Sequence, residues 1–359
     1  MRKNLYLATP GPVNIPEAVF QAMHTSMHHR IADFIEIFSR CRQNLPKFFQ
    51  TDGSVLMMGS SGTGAMEASL INTLSPGDKV LVIESGKFGI RFAEIAETFG
   101  CLPIVVSSPY GTYPDPGQVQ RALKENPDVK VVTACHSETS TGVLAPIADY
   151  AATVALTDAL FIVDTISSAG CIPINQTKNK IDICISSGQK GFMTPPGVSF
   201  ISLQGEKFMP ALKKSQLPKF YFDILRQLDQ QQSCHPEWTP ATHMIMALDQ
   251  ALAMMMEEDV EKIYLRHKQV ADYARKRGLE LGFELFAHRG FTPSDSVSAF
   301  VTEKRIPANQ LIECLSRKNI IIAGGQDNLK GKIIRIGHLG MMDLMQIKWI
   351  FDEIEDCFS

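Results

Sequence analysis

Short apolar runs rich in β-branched residues recur along the first two thirds of the chain, and helical patterns separate most of them. This alternation predicts a mainly parallel sheet covered by helices on both faces. The predicted strands are 55–58, 79–84, 103–107, 129–134, 159–164, 181–186 and 198–203. The predicted helices between them are 64–74, 88–99, 116–124 and 146–155. We therefore expect an α/β fold with a seven-stranded sheet.

The last two of these strands are joined by a loop too short for a helix, which predicts an antiparallel neighbour at that point of the sheet. After about residue 240 the pattern changes to long helices followed by isolated strands. The predicted elements are helices 242–256, 260–281, 307–318 and 342–357, with strands 296–302 and 332–337. They indicate a smaller C-terminal α+β domain.

Composition narrows the function classes. The 359 residues carry a formal net charge of -3 and 45% hydrophobic residues, so two domains are expected and no basic surface for nucleic acid is indicated. No apolar run reaches the ~18 residues of a membrane span, and the start turns polar too early for a signal peptide. We expect a cytoplasmic protein without a membrane partner.

The metal-binding residue types show no ligand pattern. The 8 cysteines include no C-x-x-C pair, so we expect reduced thiols. His24 and His28 have helical spacing and His29 follows, but no acidic residue completes a zinc-protease motif. No metal site is predicted.

Two predicted strands end beside groups of complementary chemistry. Asp164 ends the strand 159–164, and Lys190 follows the strand 181–186 within Ser-Ser-Gly-Gln-Lys-Gly. We expect both at the same edge of the sheet. Pyridoxal phosphate requires such a pair, because an amine binds its aldehyde and an acid its ring nitrogen. If each residue is considered alone, the simpler interpretation is that Lys190 is a surface lysine and that Asp164 begins a turn.

A glycine- and serine-rich turn follows the strand 55–58 and precedes a helix. Its free amides and the helix dipole suit a phosphate. It is no P-loop, since no Gly-Lys-Ser/Thr follows. Gly62 and Gly64 also begin a dinucleotide-binding fingerprint, with Glu84 as the ribose-binding acid. Glu67 occupies the third small position and would oppose a pyrophosphate, so a single phosphate fits better.

Together with their order and spacing, several short motifs carry a family resemblance over nearly the whole chain. The chain resembles the class V aminotransferases of the fold-type I pyridoxal-phosphate superfamily, most closely the alanine/serine-glyoxylate aminotransferase-like group. The motifs are Thr9-Pro10-Gly11-Pro12, His29-Arg30 with Phe34, Ser61-Gly62-Thr63, Gly86-Lys87-Phe88-Gly89-x-Arg91, His136-Ser137-Glu138-Thr139-Ser140-Thr141-Gly142, Val163-Asp164-Thr165, Ser187-Gly188-Gln189-Lys190-Gly191, Pro195-Pro196-Gly197, Trp238-Thr239-Pro240 and Arg335-Ile336-Gly337.

The resemblance implies a role for each matching residue. Lys190 would form the imine with the cofactor and carry protons, Asp164 would keep the pyridine nitrogen protonated, and Thr139 would bind the phenolic oxygen. Phe88, where glyoxylate enzymes often have tryptophan, would stack on the ring. The residues implied to hold the phosphate are Ser61, Gly62, Thr63 and Gln189, with Thr239 from the neighbouring subunit of a homodimer. Thr63 stands where some relatives carry histidine.

The resemblance also implies a substrate site and a division of the chain. Gly11 and Arg335 would bind the substrate carboxylate, the arginine by a two-pronged ion pair. The division has three parts: an N-terminal segment, 1–14, that contributes to the active site, a large pyridoxal-phosphate-binding domain, 15–250, and a small C-terminal domain, 251–359.

The implied activity is ping-pong transfer of an amino group from alanine or serine to glyoxylate or pyruvate. An aminoethylphosphonate-pyruvate aminotransferase shares most of these motifs. A cysteine desulfurase would need a nucleophilic cysteine in the loop 323–331, which has none. The non-catalytic alternative is a subunit that binds the cofactor but does not turn over a substrate.

Overall fold

The computed structural model describes residues 5–358. In chain order its strands are β1 Tyr6–Leu7, β2 Ser54–Met58, β3 Lys79–Glu84, β4 Leu102–Ser107, β5 Val131–Cys135, β6 Ser137–Glu138, β7 Val143–Leu144, β8 Leu160–Asp164, β9 Ile183–Ser187, β10 Ser199–Leu203, β11 Glu284–Leu285, β12 Val297–Val301, β13 Ile320–Ile321, β14 Ala323–Gly324 and β15 Ile333–Gly337.

The helices begin and end as follows: α1 Glu17–Ala22, α2 Ala32–Phe49, α3 Gly62–Ile71, α4 Lys87–Thr98, α5 Pro116–Glu125, α6 Ile147–Val154, α7 Gln176–Asn179, α8 Phe208–Lys214, α9 Ile224–Gln232, α10 Thr242–Glu258, α11 Val260–Glu280, α12 Ala308–Arg317 and α13 Leu344–Asp356. A short 3-10 turn covers Asp327–Leu329. None of the helices within 5–358 is both long and apolar enough to cross a membrane.

The central sheet has seven strands in the order β2-β10-β9-β8-β5-β3-β4. Strand β10 runs antiparallel to both of its neighbours, and the other pairs are parallel. The predicted fold, a mainly parallel seven-stranded sheet between helices, is confirmed, as is the antiparallel strand after the Lys190 loop.

Alternate side chains of the strands point to opposite faces, and each face has its own apolar core. In β8, Phe161 and Val163 pack with α2, α5 and α6, whereas Leu160 and Ile162 pack with α3, α4 and α9. Burial on both faces explains why these strands are continuous apolar runs in the sequence. It also leaves the strand ends as the places where polar groups can gather.

The C-terminal part has an antiparallel sheet of four strands in the order β11-β12-β15-β14, packed against α11, α12 and α13. The N-terminal strand β1 joins this part by pairing in parallel with β13. The division of the chain at 14/15 and 250/251 stays a prediction.

The expectation that all cysteines are reduced is wrong for two of them. Cys314 and Cys357 form a disulfide with a Cα–Cα distance of 6.1 Å, although they lie 43 residues apart in the chain. The pairing arises because α12 and α13 pack against each other, which no local cysteine spacing records. The free thiols are Cys41, Cys101, Cys135, Cys171, Cys184 and Cys234.

Candidate active site

A cavity of about 150 Å³ opens at the carboxyl edge of the central sheet, next to the ends of β5, β8 and β9. It brings together residues that are far apart in the sequence and that were predicted to bind one cofactor. The lining residues are Ser61, Gly62, Thr63, Phe88, Arg91, Cys135, Ser137, Thr139, Asp164, Ile166, Ser167, Gln189 and Lys190.

Asp164 is the last residue of β8 and is 3% exposed. Burial raises the pKa of its carboxyl to about 7, with the negative charge of Glu138 acting in the same direction and the Ile166 backbone N–H opposing it. That N–H donates to Oδ1 at 2.7 Å. A carboxylate held in this way gains from a cationic partner in the cavity.

Lys190 reaches the same cavity from the short loop after β9. Burial lowers the pKa of its ammonium to about 8, Arg335 acts in the same direction, and Asp164 opposes the shift. A larger neutral fraction at physiological pH makes the amine a better nucleophile.

The N-terminal segment lies directly on Lys190. Its Nζ donates a hydrogen bond to the carbonyl of Pro10. A Cβ placed on Gly11, which has a φ of +101°, would lie 2.6 Å from Nζ. Glycine at this position therefore leaves the space around the amine open, and the predicted substrate residue Gly11 lies beside the predicted catalytic lysine.

The turn before α3 offers unused hydrogen-bonding groups. Ser61 is the N-cap of α3 but makes no side-chain cap bond, and the first turn contains no acidic residue. The buried Ser187 Oγ and Gln189 Oε1 have no hydrogen-bond partner in the described chain. A Cβ on Gly62 would lie 2.5 Å from Ile166 Cδ1 and 3.2 Å from Ser187 Oγ. Buried polar atoms without partners and a close-packed glycine are features of a site built for a ligand.

Phe88 lines the cavity from the first turn of α4, and its backbone is held by a buried carboxylate. Glu138 Oε2 accepts from the N–H groups of Phe88 and Gly89, each at 3.0 Å. Its Oε1 accepts from the N–H and the hydroxyl of Ser140. Glu138 thus connects the predicted stacking residue to the turn that carries Thr139.

Arg335 lies on β15 of the C-terminal part, 6% exposed, and reaches the edge of the site. Nε donates to the carbonyl of Gly324 and Nη1 to the carbonyl of Thr139, each at 2.9 Å. Burial lowers the pKa of the guanidinium. Within residues 5–358 it forms no salt bridge, so the structural ion pair that could have explained a buried arginine is absent.

Three predicted site residues are not among those that line the cavity: Gly11 and Arg335, which lie against Lys190 and Thr139, and Thr239. Thr239 is exposed and lies between Trp238 and α10. Trp238 stacks on Phe220 and Tyr221, with ring centroids 5.1 and 6.0 Å apart. An exposed position is the one that a contribution to a neighbouring subunit requires.

Sequence reasoning assigned no role to several residues that the structure brings to the site. Arg91 and Glu138 stood inside motifs of the family resemblance, so a signal existed, but Arg91 lies within α4 and Glu138 ends β6, a strand of two residues that no sequence pattern predicts. Cys135 lies opposite Asp164 in the β5–β8 register, and its thiol donates to the Ser137 carbonyl at 3.4 Å. Burial raises its pKa, so it is a poor nucleophile.

The site therefore combines an amine and a carboxylate with an open helix N-terminus at the carboxyl edge of an α/β sheet. The model of the family Aminotransferase class-V matches residues 10–341, and the chain belongs to this family. Its cofactor is pyridoxal phosphate. Ser187, Gln189 and Gly62 fit a phosphate group at the turn, and the pair of Asp164 and Lys190 fits the pyridine ring and its aldehyde.

Proteins that are similar to this chain over most of its length have been named for different activities. The soluble hydrogenase 42 kDa subunit of Anabaena cylindrica is 35% identical over 95% of this chain and 90% of its own length. The serine–glyoxylate aminotransferase of Methylorubrum extorquens is 32% identical over 95% and 88%. A crystal structure of a subgroup IV aspartate aminotransferase from Thermus thermophilus superposes with a TM-score of 0.90 at 30% identity, covering 98% of this chain and 99% of that one.

Proposed function

We propose that this aminotransferase moves the amino group of a small amino acid, alanine or serine, to glyoxylate or pyruvate by a ping-pong mechanism. The observation that carries the proposal is the position of Arg335 beside Thr139 and the cavity of Lys190. Its guanidinium is buried and forms no salt bridge in the described chain, although the negative charge of Glu138 acts on it. A substrate carboxylate is the anion that such a fork binds best. The serine–glyoxylate relative supports this choice of substrates.

Pyridoxal phosphate, when bound, supplies the aldehyde that takes up the amino group and a ring that spreads negative charge. The residues of this chain would bind it and move protons around it. Asp164 would hold a proton at the ring nitrogen, and Phe88 and Ile166 would enclose the ring. Lys190 Nζ would take the proton from the substrate Cα and return it one carbon away. Arg335 and Gly11 would orient the substrate carboxylate.

The alternatives gain little from the structure. A desulfurase nucleophile is missing from the described loop 323–331, and Cys314 is bound in a disulfide. A phosphonate substrate would call for further cations, but Arg30 and Lys330 are exposed and do not line the cavity. The Anabaena relative is named as a subunit, and a chain that binds cofactor without turnover would fail the half-reactions below.

We also propose a homodimer with shared active sites, in which Thr239 of each chain reaches the phosphate site of its partner. The exposed position of Thr239 and the aromatic rings beside it support this arrangement. The described cavity leaves the phosphate turn open on its outer side, where Ser61 and Thr63 are exposed.

The test is a panel of half-reactions on purified holoenzyme, in which the cofactor absorbance is followed as one amino acid is added at a time. We expect alanine or serine to convert the cofactor fastest, with aspartate and aminoethylphosphonate as comparison donors. Borohydride reduction should attach the cofactor irreversibly to Lys190, as peptide mapping would show. No conversion by any donor, or an adduct on another lysine, would contradict the proposal.

The substrate assignment is tested separately by Arg335→Lys. Lysine keeps the charge but loses the fork, so kcat/KM should fall roughly 30- to 1000-fold for both the amino acid and the keto acid. Affinity for pyridoxal phosphate should barely change. A variant whose main defect is loss of the cofactor would show that Arg335 is structural or binds phosphate. Lys330→Gln, an exposed cation on the same part of the chain, is the control and should keep normal kinetics.

A further inference from the structure

Arg91 extends from α4 to the cavity and contacts two predicted cofactor residues. Its Nη1 donates to Thr63 Oγ1 at 3.2 Å. Its guanidinium carbon lies 4.7 Å from the centroid of the Phe88 ring. These contacts place the guanidinium between the phosphate turn and the residue predicted to stack on the pyridine.

One of the cations that line the cavity, Arg91, has no role in the predicted site. Pyridoxal phosphate brings a phosphate with a charge near −2 at neutral pH. The turn itself offers only hydroxyls and amides, from Ser61, Gly62 and Thr63. Among the lining residues in the described chain the cations are Lys190 and Arg91, and Lys190 is bound to the carbonyl of Pro10 at the other end of the site.

We propose that Arg91 binds the cofactor phosphate. Thr63 Oγ1 and the Phe88 ring hold the guanidinium plane, and the remaining N–H donors face the anion that Ser61, Gly62 and Gln189 surround. The buried Gln189 Oε1 without a partner marks the same place as a site for a ligand. Since Oε1 is an acceptor, Gln189 would turn its amide or use a bridging water to meet the phosphate.

The competing explanation is that Arg91 acts only on Phe88. A guanidinium over an aromatic face stabilises that ring without any anion nearby. The two explanations differ in the part of the cofactor that they affect. A phosphate ligand affects pyridoxal phosphate but not pyridoxal, which lacks the phosphate, whereas support of Phe88 affects both molecules through ring stacking.

The experiment measures the dissociation constants of pyridoxal phosphate, pyridoxal and inorganic phosphate on the apoprotein, by fluorescence quenching and calorimetry. Arg91→Gln should weaken pyridoxal phosphate and inorganic phosphate roughly 10- to 100-fold and leave pyridoxal within about threefold. The affinity of Arg91→Lys for pyridoxal phosphate should lie between those of wild type and Arg91→Gln, because lysine keeps the charge but lacks the two-pronged geometry of the guanidinium. Lys87→Gln is the matched control: it removes a cation from the same helix, but one that pairs with Asp327 and does not line the cavity.

An equal loss of affinity for pyridoxal phosphate and pyridoxal in Arg91→Gln would assign Arg91 to Phe88 and overturn the proposal. No loss in either, or the same loss in Lys87→Gln, would also overturn it. Circular dichroism of each apoprotein checks that the variants fold, and Thr63→Val tests the same contact without touching the arginine. A wild-type protein that binds cofactor normally but fails every half-reaction would contradict the proposed transamination and leave the Arg91 result standing.

Discussion

Asp164 and Lys190 face the same cavity, and burial shifts the pKa of each towards its neutral form. Both shifts have a cost to the folded chain, because each group would be fully charged in water at neutral pH. These two active-site residues therefore lower the stability of the folded apoprotein at neutral pH. The cost can be measured, because it depends on pH.

Replacing Asp164 by asparagine should stabilise the apoprotein at pH 8. The folded pKa of about 7 lies above the ordinary value of 3.8, so the folded state holds its proton longer than the unfolded chain does. Stability is therefore lost as pH rises from about 4 to 7 and stays low above that. The gain should approach an upper limit of about 4 kcal/mol and vanish near pH 4. Urea unfolding at both pH values measures it.

The control for this prediction is Asp128→Asn. Asp128 pairs with Lys79 at 2.9 Å, and that hydrogen bond lowers its pKa, so asparagine there should give no stabilisation at pH 8. The same Asp164→Asn holoenzyme should lose activity, since asparagine does not keep the ring nitrogen protonated. If Asp164→Asn were no more stable than wild type at pH 8, the carboxyl would be ionised without cost in the folded apoprotein.

Helix α4 illustrates how an element can depend on residues far away in the sequence. It begins after Gly86 with no side-chain cap of its own and with no acidic residue in its first turn. Glu138 supplies the missing acceptors from β6, 50 residues further along the chain. Gly86 is required there, because a Cβ would lie 2.7 Å from Glu138 Cγ.

Burial raises the pKa of Glu138 as it does that of Asp164, but four hydrogen bonds oppose the shift at Glu138 and one at Asp164. Glu138→Gln should therefore destabilise the apoprotein by about 1 to 3 kcal/mol and weaken cofactor binding through Phe88. The amide oxygen can still accept from the Phe88 and Gly89 N–H groups, but the NH₂ group then faces the Ser140 N–H, a donor against a donor. Urea unfolding and the affinity for pyridoxal measure the two effects. Glu84→Gln is the control, because the Glu84 side chain, at the end of β3, accepts from the Ser107 hydroxyl alone among residues 5–358. Equal stability of the two variants would show that Glu138 does not support α4.

The sequence predicted the long apolar elements well and the weakly marked ones poorly. All seven central strands begin and end within about two residues of the prediction. In the strands other than the edge strand β4, which is partly exposed, burial on both faces produces the apolar run that makes this possible. The prediction missed α2, which starts after Ile31 without a side-chain cap and contains Pro46. It also missed β1, β13 and β14, two-residue strands too short for any periodicity.

At the site, the residues at the ends of the apolar central strands were predictable. Residues whose place depends on contacts between distant elements were not. Asp164 and Lys190 follow apolar strands, so local pattern locates them at the sheet edge. The place of Arg91 beside Thr63 and Phe88 depends on how α3 and α4 pack, and Glu138 binds backbone amides of α4, so neither relation can be read from the local sequence. The Cys314–Cys357 disulfide is the same case, since helix packing alone brings the two residues together.

Across the whole molecule, the N-terminal segment and the C-terminal part meet at the active site. β1 pairs with β13, the Gly337 N–H donates to the Ala8 carbonyl at 2.9 Å, and Pro10 accepts from Lys190. A further contact joins α4 to the C-terminal part, where Lys87 pairs with Asp327 at 2.6 Å. The proposed substrate residues Gly11 and Arg335 are thus placed by contacts between separate parts of the chain.

One surface near Thr239 exposes aromatic side chains that nothing else in the described chain covers. Phe220 is 66% exposed and Tyr221 is 43% exposed, and both stack on Trp238, the neighbour of Thr239. A Cβ on Gly59 would lie 2.9 Å from the Tyr221 hydroxyl, so these rings adjoin the phosphate turn. Exposed aromatic residues of this kind are enriched at subunit interfaces.

We therefore predict that the protein is a dimer and that Phe220→Glu dissociates it, because the ring that stacks on Trp238 is lost and a carboxylate must leave water even though Arg226 lies beside this position. Light scattering should give twice the chain mass for wild type and one chain mass for the variant, with weakened cofactor binding. Thr239→Ala should keep the dimer but bind pyridoxal phosphate roughly 10-fold more weakly, through one lost hydrogen bond. Leu156→Glu, at a residue 78% exposed near the opposite end of the sheet, should change neither property. A wild-type monomer with full activity would contradict the shared active site.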